Sequence, residues 1–128
     1  MPGPTPPQTP KPLVVLVEDD TVLRNALAFS LKIEGYRVEI CESGEALLQM
    51  PRPLGPTCLV VDQRLSGVTG IVALRVLRGR GVALPAILIT TQPGPLLRAL
   101  AGEFGVRIVE KPLLDAELFA AIAEELAR

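Results

Sequence analysis

Residues 58–70 read CLVVDQRLSGVTG. Cys58, Leu59, Val60 and Val61 form an unbroken apolar run that ends on a carboxylate, Asp62. A short continuous apolar run bounded by polar residues suits a strand covered on both faces, as in a parallel sheet. From Gly70 the pattern changes. Ile71, Leu74 and Leu77 recur at helical spacing, which predicts a helix over 70–78.

The same strand-then-helix unit recurs on both sides. Upstream, LVVLV at 13–17 is another buried strand, and 21–34 carries Leu23, Leu27 and Leu31 on one helical face with Gly35 as the stop. YRVEIC at 36–41 alternates apolar and polar residues, so it predicts a strand with one wetter face, and 43–50 predicts a short helix ending before Pro51. Downstream, AILI at 86–89 is a buried strand after Pro85. A short helix at 96–101 is boxed in by Pro95 and Gly102, and VRIV at 106–109 is a last strand. Asp115 is the expected N-cap of a final helix bearing Leu118, Phe119, Ile122 and Leu126.

Five strands alternating with five helices predict a doubly wound α/β fold, a parallel sheet with helices on both faces. The first, third and fourth strands are apolar throughout and belong at the centre. The second and fifth carry Arg37, Glu39 and Arg107 and suit the edges. That is the flavodoxin-like order 2-1-3-4-5, in which ligands sit beyond the carboxyl ends of the strands.

Composition narrows the function. The 128 residues give room for one domain, and 48% apolar with 21% charged residues is a globular balance. A net charge of −1 supplies no field for nucleic acid or an anionic membrane. With three Phe, one Tyr and no Trp, a base-stacking platform is unsupported. The absence of His removes His-based triads, metal sites and general bases. Cys41 and Cys58 lie in strand-like runs and read as buried thiols of a reducing compartment, hence a cytoplasmic location. No apolar run reaches the ~20 residues that span a bilayer. Residues 1–12 contain Pro2, Pro4, Pro6, Pro7, Pro10 and Pro12 and lack the basic and apolar regions of a signal peptide. They are expected to form an extended, disordered tail, with the folded domain at 13–128.

The strand ends hold the chemistry. Glu18, Asp19 and Asp20 follow the first strand, Asp62 the third, Thr90 and Thr91 the fourth, and Glu110, Lys111 and Pro112 the fifth. Glu18, Asp19 and Asp62 are expected to converge at one edge, where like charges near a low dielectric repel and Lys111 offsets only one of them. A hard divalent cation bound through oxygen, Mg²⁺, is the natural remedy. Such a cation beside a Lys and a Thr hydroxyl suits phosphoryl transfer, with a carboxylate as nucleophile. Asp20 reads instead as part of a helix N-terminus.

With these residues in view, the chain from Leu13 to about Leu126 resembles the response-regulator receiver family of two-component signalling. The resemblance rests on LVVLVEDD, CLVVDQRLSGVTG, ILITT and VEKP in that order. It is nearest in look to receivers joined to LuxR-type outputs. It implies that Asp62 is the phosphoacceptor, Thr90 the switch hydroxyl, and Lys111 the ion-pair partner of the phosphoryl group, with a cis Lys111–Pro112 bond. Mg²⁺ would be held by Asp19, Asp62 and the backbone carbonyl of Arg64, with Glu18 acting through water. The implied partners are a sensor histidine kinase or histidine phosphotransfer protein and a downstream protein target. Neither nucleic acid nor membrane is contacted directly, and a homodimer through the last two helices or the fifth strand is compatible with the family.

The chain departs from the family pattern in several places. Ser66 stands where the family usually has Pro, so a less rigid loop is expected. Arg64 and Gln92 bring bulky polar side chains within reach of the phosphoryl group. Ile108 replaces the usual aromatic of the switch. The fourth helix, with Pro93 and Pro95, is expected to be short and poorly helical. These departures support one alternative, a degenerate receiver that acts as a phosphorylation-independent interaction module. Enzymes fit less well. A dinucleotide or P-loop site needs glycines where this chain has Glu18, Asp19 and Asp20. A dehalogenase-type phosphatase would place its Asp nucleophile directly after the first strand, where this chain has Glu18.

Overall fold

The computed structural model describes residues 11–128, so most of the expected Pro-rich tail lies outside the described residues. Lys11 and Pro12, counted with that tail above, are already tied to the sheet. Their carbonyls accept hydrogen bonds from Arg37 Nε at 2.9 Å and Arg37 N at 3.0 Å.

The elements alternate as the sequence predicts: β1 (Leu13–Val17), α1 (Thr21–Glu34), β2 (Arg37–Cys41), α2 (Gly44–Gln49), β3 (Thr57–Asp62), α3 (Gly70–Gly79), β4 (Ala86–Thr90), α4 (Pro95–Glu103), β5 (Val106–Glu110) and α5 (Asp115–Leu126). All pairings are parallel and the order is β2-β1-β3-β4-β5. Alternating side chains divide the core between the two faces of the sheet. Val15, Val17, Leu59, Val61 and Leu88 pack with Leu47 of α2, Leu74 and Leu77 of α3 and Ala101 of α4. Val14, Leu16, Val60, Ile87 and Ile89 pack with Leu27 and Leu31 of α1 and Leu118 and Ile122 of α5. Among the described residues, no helix is long and apolar enough to cross a membrane.

Local chemistry sets the helix ends. Asp20 is the N-cap of α1, its carboxylate accepting from Leu23 N at 3.0 Å, and Gly35 closes the helix with a left-handed φ of 109°. Two expectations are corrected. α4 is a regular nine-residue helix, because Pro95 occupies its first turn, where no intrahelical N–H is required. Asp115 is the first residue of α5 rather than its cap, and Leu114 takes that position with no side-chain bond. Asp115 and Glu117 still place negative charge against the helix N-terminus.

Register positions the site. Val17 lies opposite both Cys41 and Val61, Asp62 opposite Ile89, and Thr90 opposite Glu110. The residues that close β1, β3, β4 and β5 therefore share one edge. α3 is pressed against that edge at Gly70. A Cβ there would lie 2.5 Å from the Asp62 carbonyl oxygen and 2.7 Å from Leu88 Cδ1. Gly70→Ala is expected to destabilise the fold by about 2 kcal/mol or more, as overpacking at a rigid contact does. Urea unfolding tests this, and unchanged stability would show that the α3–β3 approach can relax.

Candidate functional site

At the carboxyl edge of the sheet the structure brings Glu18, Asp62, Thr90 and Lys111 together. Glu18 and Asp62 are 2% and 5% exposed, unusually low for carboxylates. Lys111 Nζ donates to Asp62 Oδ2 at 3.1 Å, and Arg64 N donates to Asp62 Oδ1 at 3.2 Å. Lys111 is held in turn by its own N–H, which donates to the Thr90 carbonyl at 2.8 Å, and the Lys111–Pro112 bond is cis. Thr90 is buried, and its hydroxyl makes a long contact, 3.5 Å, to the Thr91 carbonyl. A depression of about 150 Å³ opens over these groups, lined by Asp62, Gln63, Arg64, Thr90, Thr91 and Lys111. Gln92, expected over the same space, is not among its lining residues, and its backbone is left-handed with φ 43°. Ile108 is half-buried and packs into the core cluster on the α3 and α4 side.

The electrostatics follow from crowding. Burial, and then the neighbouring Asp62 carboxylate, push the Glu18 carboxyl up to about 8. Lys111 pulls the other way and does not prevail. Glu18 is otherwise fixed by its backbone: its N–H donates to the Cys41 carbonyl at 3.2 Å, and its side chain accepts from Asp19 N at 3.1 Å.

Asp19 does not join the other two carboxylates, which corrects the expected convergence of three. Its Oδ2 accepts from Ser66 N at 2.9 Å and from Ser66 Oγ at 3.0 Å. Those two donors hold the Asp19 carboxyl below its ordinary range. Among the described residues, no three acidic or thiol side chains gather into a ready cation site. The tie between Ser66 and Asp19 was not foreseen from the sequence. Its one signal was a residue with both an N–H and a hydroxyl where the resembling family has Pro. Gln63 was also missed: its Oε1 accepts from Ile71 N at 2.8 Å and so caps α3. Cys41 and Cys58 are buried free thiols, as expected.

This sheet order, with an acid at the end of β3 bonded to a Lys after β5, defines a signalling α/β domain of the receiver type. The model of the response regulator receiver domain matches residues 14–123, and the chain belongs to that family. It is 34% identical over 116 residues to the transcriptional regulatory protein FixJ of Azorhizobium caulinodans, covering 90% of this chain and 55% of that protein. It is also 34% identical to the transcriptional regulatory protein AfsQ1 of Streptomyces coelicolor, covering 87% of this chain and 51% of that one. The chain thus spans about half the length of these curated relatives. Among solved structures it is similar to FixJ-N, with a TM-score of 0.82 and 26% identity over 94% of this chain and 97% of that one.

The buried Glu18 gives a test with a defined sign. Its folded value of about 8 lies above the ordinary 4.5, so between these pH values the folded state binds the extra proton. That contribution to stability is fully present below about 4.5 and is lost as pH rises through about 8. Melting temperatures of the metal-free protein between these limits should therefore decline more steeply for wild type than for Glu18→Gln. Parallel pH profiles would show that another group titrates.

Proposed function

We propose that this receiver accepts a phosphoryl group on Asp62 from the phosphohistidine of a sensor kinase or histidine phosphotransfer protein. The observation that carries the reading is the buried Asp62 carboxylate bonded to Lys111 at 3.1 Å beneath an open polar depression. In the transfer, an Asp62 oxygen forms the new bond to phosphorus as the P–N bond of the phosphohistidine breaks, and the electron pair leaves with the imidazole. Asp62 needs no base, because a carboxylate is already a nucleophile when ionised. Lys111 balances charge on the phosphoryl oxygens, and the Thr90 hydroxyl donates to one of them.

The donors at this edge suit Mg²⁺. They are all oxygens, and the buried Glu18 carboxyl lies beside an Asp62 carboxylate that is paired with the Lys111 ammonium. Asp62, Asp19, the Arg64 carbonyl and, through water, Glu18 would hold the ion, which neutralises phosphoryl oxygen charge when bound. Arg64 lines the depression and is the side chain suited to tune the lifetime of the phosphoryl group.

The domain would act in the cytoplasm by switching a surface that a downstream protein, or a second copy of the chain, recognises. The α4, β5 and α5 surface supports this role, because it carries the exposed pairs Arg98–Glu110 and Arg107–Glu124. One observation favours the alternative of a phosphorylation-independent module, namely that Asp19 is turned to Ser66.

Intact mass after incubation with acetyl phosphate and Mg²⁺ decides between them. Wild type should gain about 80 Da, Asp62→Asn should gain nothing, and omission of Mg²⁺ should abolish the adduct. An adduct that persists in Asp62→Asn would remove Asp62 as the acceptor. No adduct with small donors or with a panel of kinases would leave the docking module. In the same assay Lys111→Ala should still bind Mg²⁺ yet acquire the adduct about tenfold or more slowly. Wild-type rates in that variant would exclude the ion-pair role.

A further inference from the structure

We propose that Ser66 is a latch on Asp19, one that sets the Mg²⁺ concentration at which the site loads; this rests on the phosphoryl-acceptor reading above. Asp19 Oδ2 accepts from both the N–H and the hydroxyl of Ser66, at 2.9 and 3.0 Å. One oxygen of the carboxylate is thereby saturated by two donors from a loop 47 residues away in sequence. Meanwhile Glu18 and Asp62 lie beside Lys111, and among the described residues no third acid completes the group. The two bonds from Ser66 hold the Asp19 carboxylate at that residue, so a cation that draws Asp19 into the Glu18 and Asp62 group competes with them.

Ser66 is the residue that makes this competition available. A residue without an N–H, such as Pro, could offer Asp19 neither bond. Ser66 is itself exposed and precedes Gly67, whose φ is +78°, so the latch lies on the loop surface outside both core clusters. Ser66 touches no phosphoryl oxygen in this scheme. It is a positioning residue that acts through Asp19.

Three substitutions separate the two donors. Ser66→Ala removes the hydroxyl, Ser66→Pro removes both, and Ser66→Thr keeps both. Calorimetric Mg²⁺ titration of the whole chain without phosphodonor should give tighter binding in the Ala variant by about two- to fivefold. The Pro variant should bind about tenfold tighter, and the Thr variant like wild type. In amide spectra of the wild type, the Ser66 N–H should move upfield at Mg²⁺ saturation as it loses its carboxylate partner.

Melting without Mg²⁺ checks that each variant is folded, and if the Pro variant is not, the Ala variant decides alone. Mg²⁺ binding by the Pro variant where wild type binds none would also uphold the latch. Ala and Pro variants that bind no more tightly than wild type would overturn it, as would a Ser66 amide that stays put at saturation. If wild type then still gains the Mg²⁺-dependent adduct, only the latch falls. If none of the four proteins binds Mg²⁺, the latch and the phosphoryl-acceptor reading fall together.

Discussion

Two carboxylates, Glu18 and Asp62, are held side by side at the end of a sheet whose interior is apolar on both faces. The register leaves them no retreat, because β1 and β3 pair with Val17 opposite Val61, and the acids follow directly. Behind them the strand residues are buried, so neither charge can move inward. The site relieves the repulsion in two ways. Lys111, carried in by β5 and tied to the end of β4, supplies one positive charge, and Glu18 retains its proton far above the usual carboxylate range. Removing either support would leave an uncompensated buried charge, which costs several times more than an exposed ion pair contributes.

The fold was legible because the three central strands are short apolar runs and the longer helices repeat leucine and isoleucine at helical spacing. The edge strands declared themselves through Arg37, Glu39 and Arg107. What the pattern missed lies at the boundaries. Asp62, Thr90 and Glu110 belong to strands although they are polar, because parallel pairing with Ile89, Glu110 and Thr90 continues past the last apolar residue. Pro93 and Pro95 suggested a short, poorly formed helix, since a proline's effect depends on whether it falls in the first turn, and composition alone does not say.

The candidate site divides along similar lines. The Asp62–Lys111 pair was readable because topology forces the ends of β3 and β5 to a common edge. The direction of the Asp19 side chain was not readable. A half-exposed acid on a connection is steered by whichever donors lie nearest, and Ser66 is far from it in sequence. Ile108 was read as a loss of the usual aromatic. The structure gives that side chain a packing role, against the core beneath α3 and α4.

The connection from β3 to α3 is anchored at both ends. Gln63 donates its N–H to the Ile89 carbonyl at 2.8 Å, its own carbonyl accepts from Gly70 N at 3.1 Å, and its side chain caps α3. At the far end Gly70 is closed to any side chain by the Asp62 carbonyl and Leu88. Between these anchors Leu65 is buried, whereas Arg64 and Ser66 are exposed. Positions 65 and 70 answer to packing. Positions 64 and 66 are largely free of it, yet one lines the depression over Asp62 and the other holds Asp19. In evolutionary terms, a lineage can vary residues 64 and 66 while the fold is kept, so within this connection they are the positions at which similar domains can diverge in behaviour.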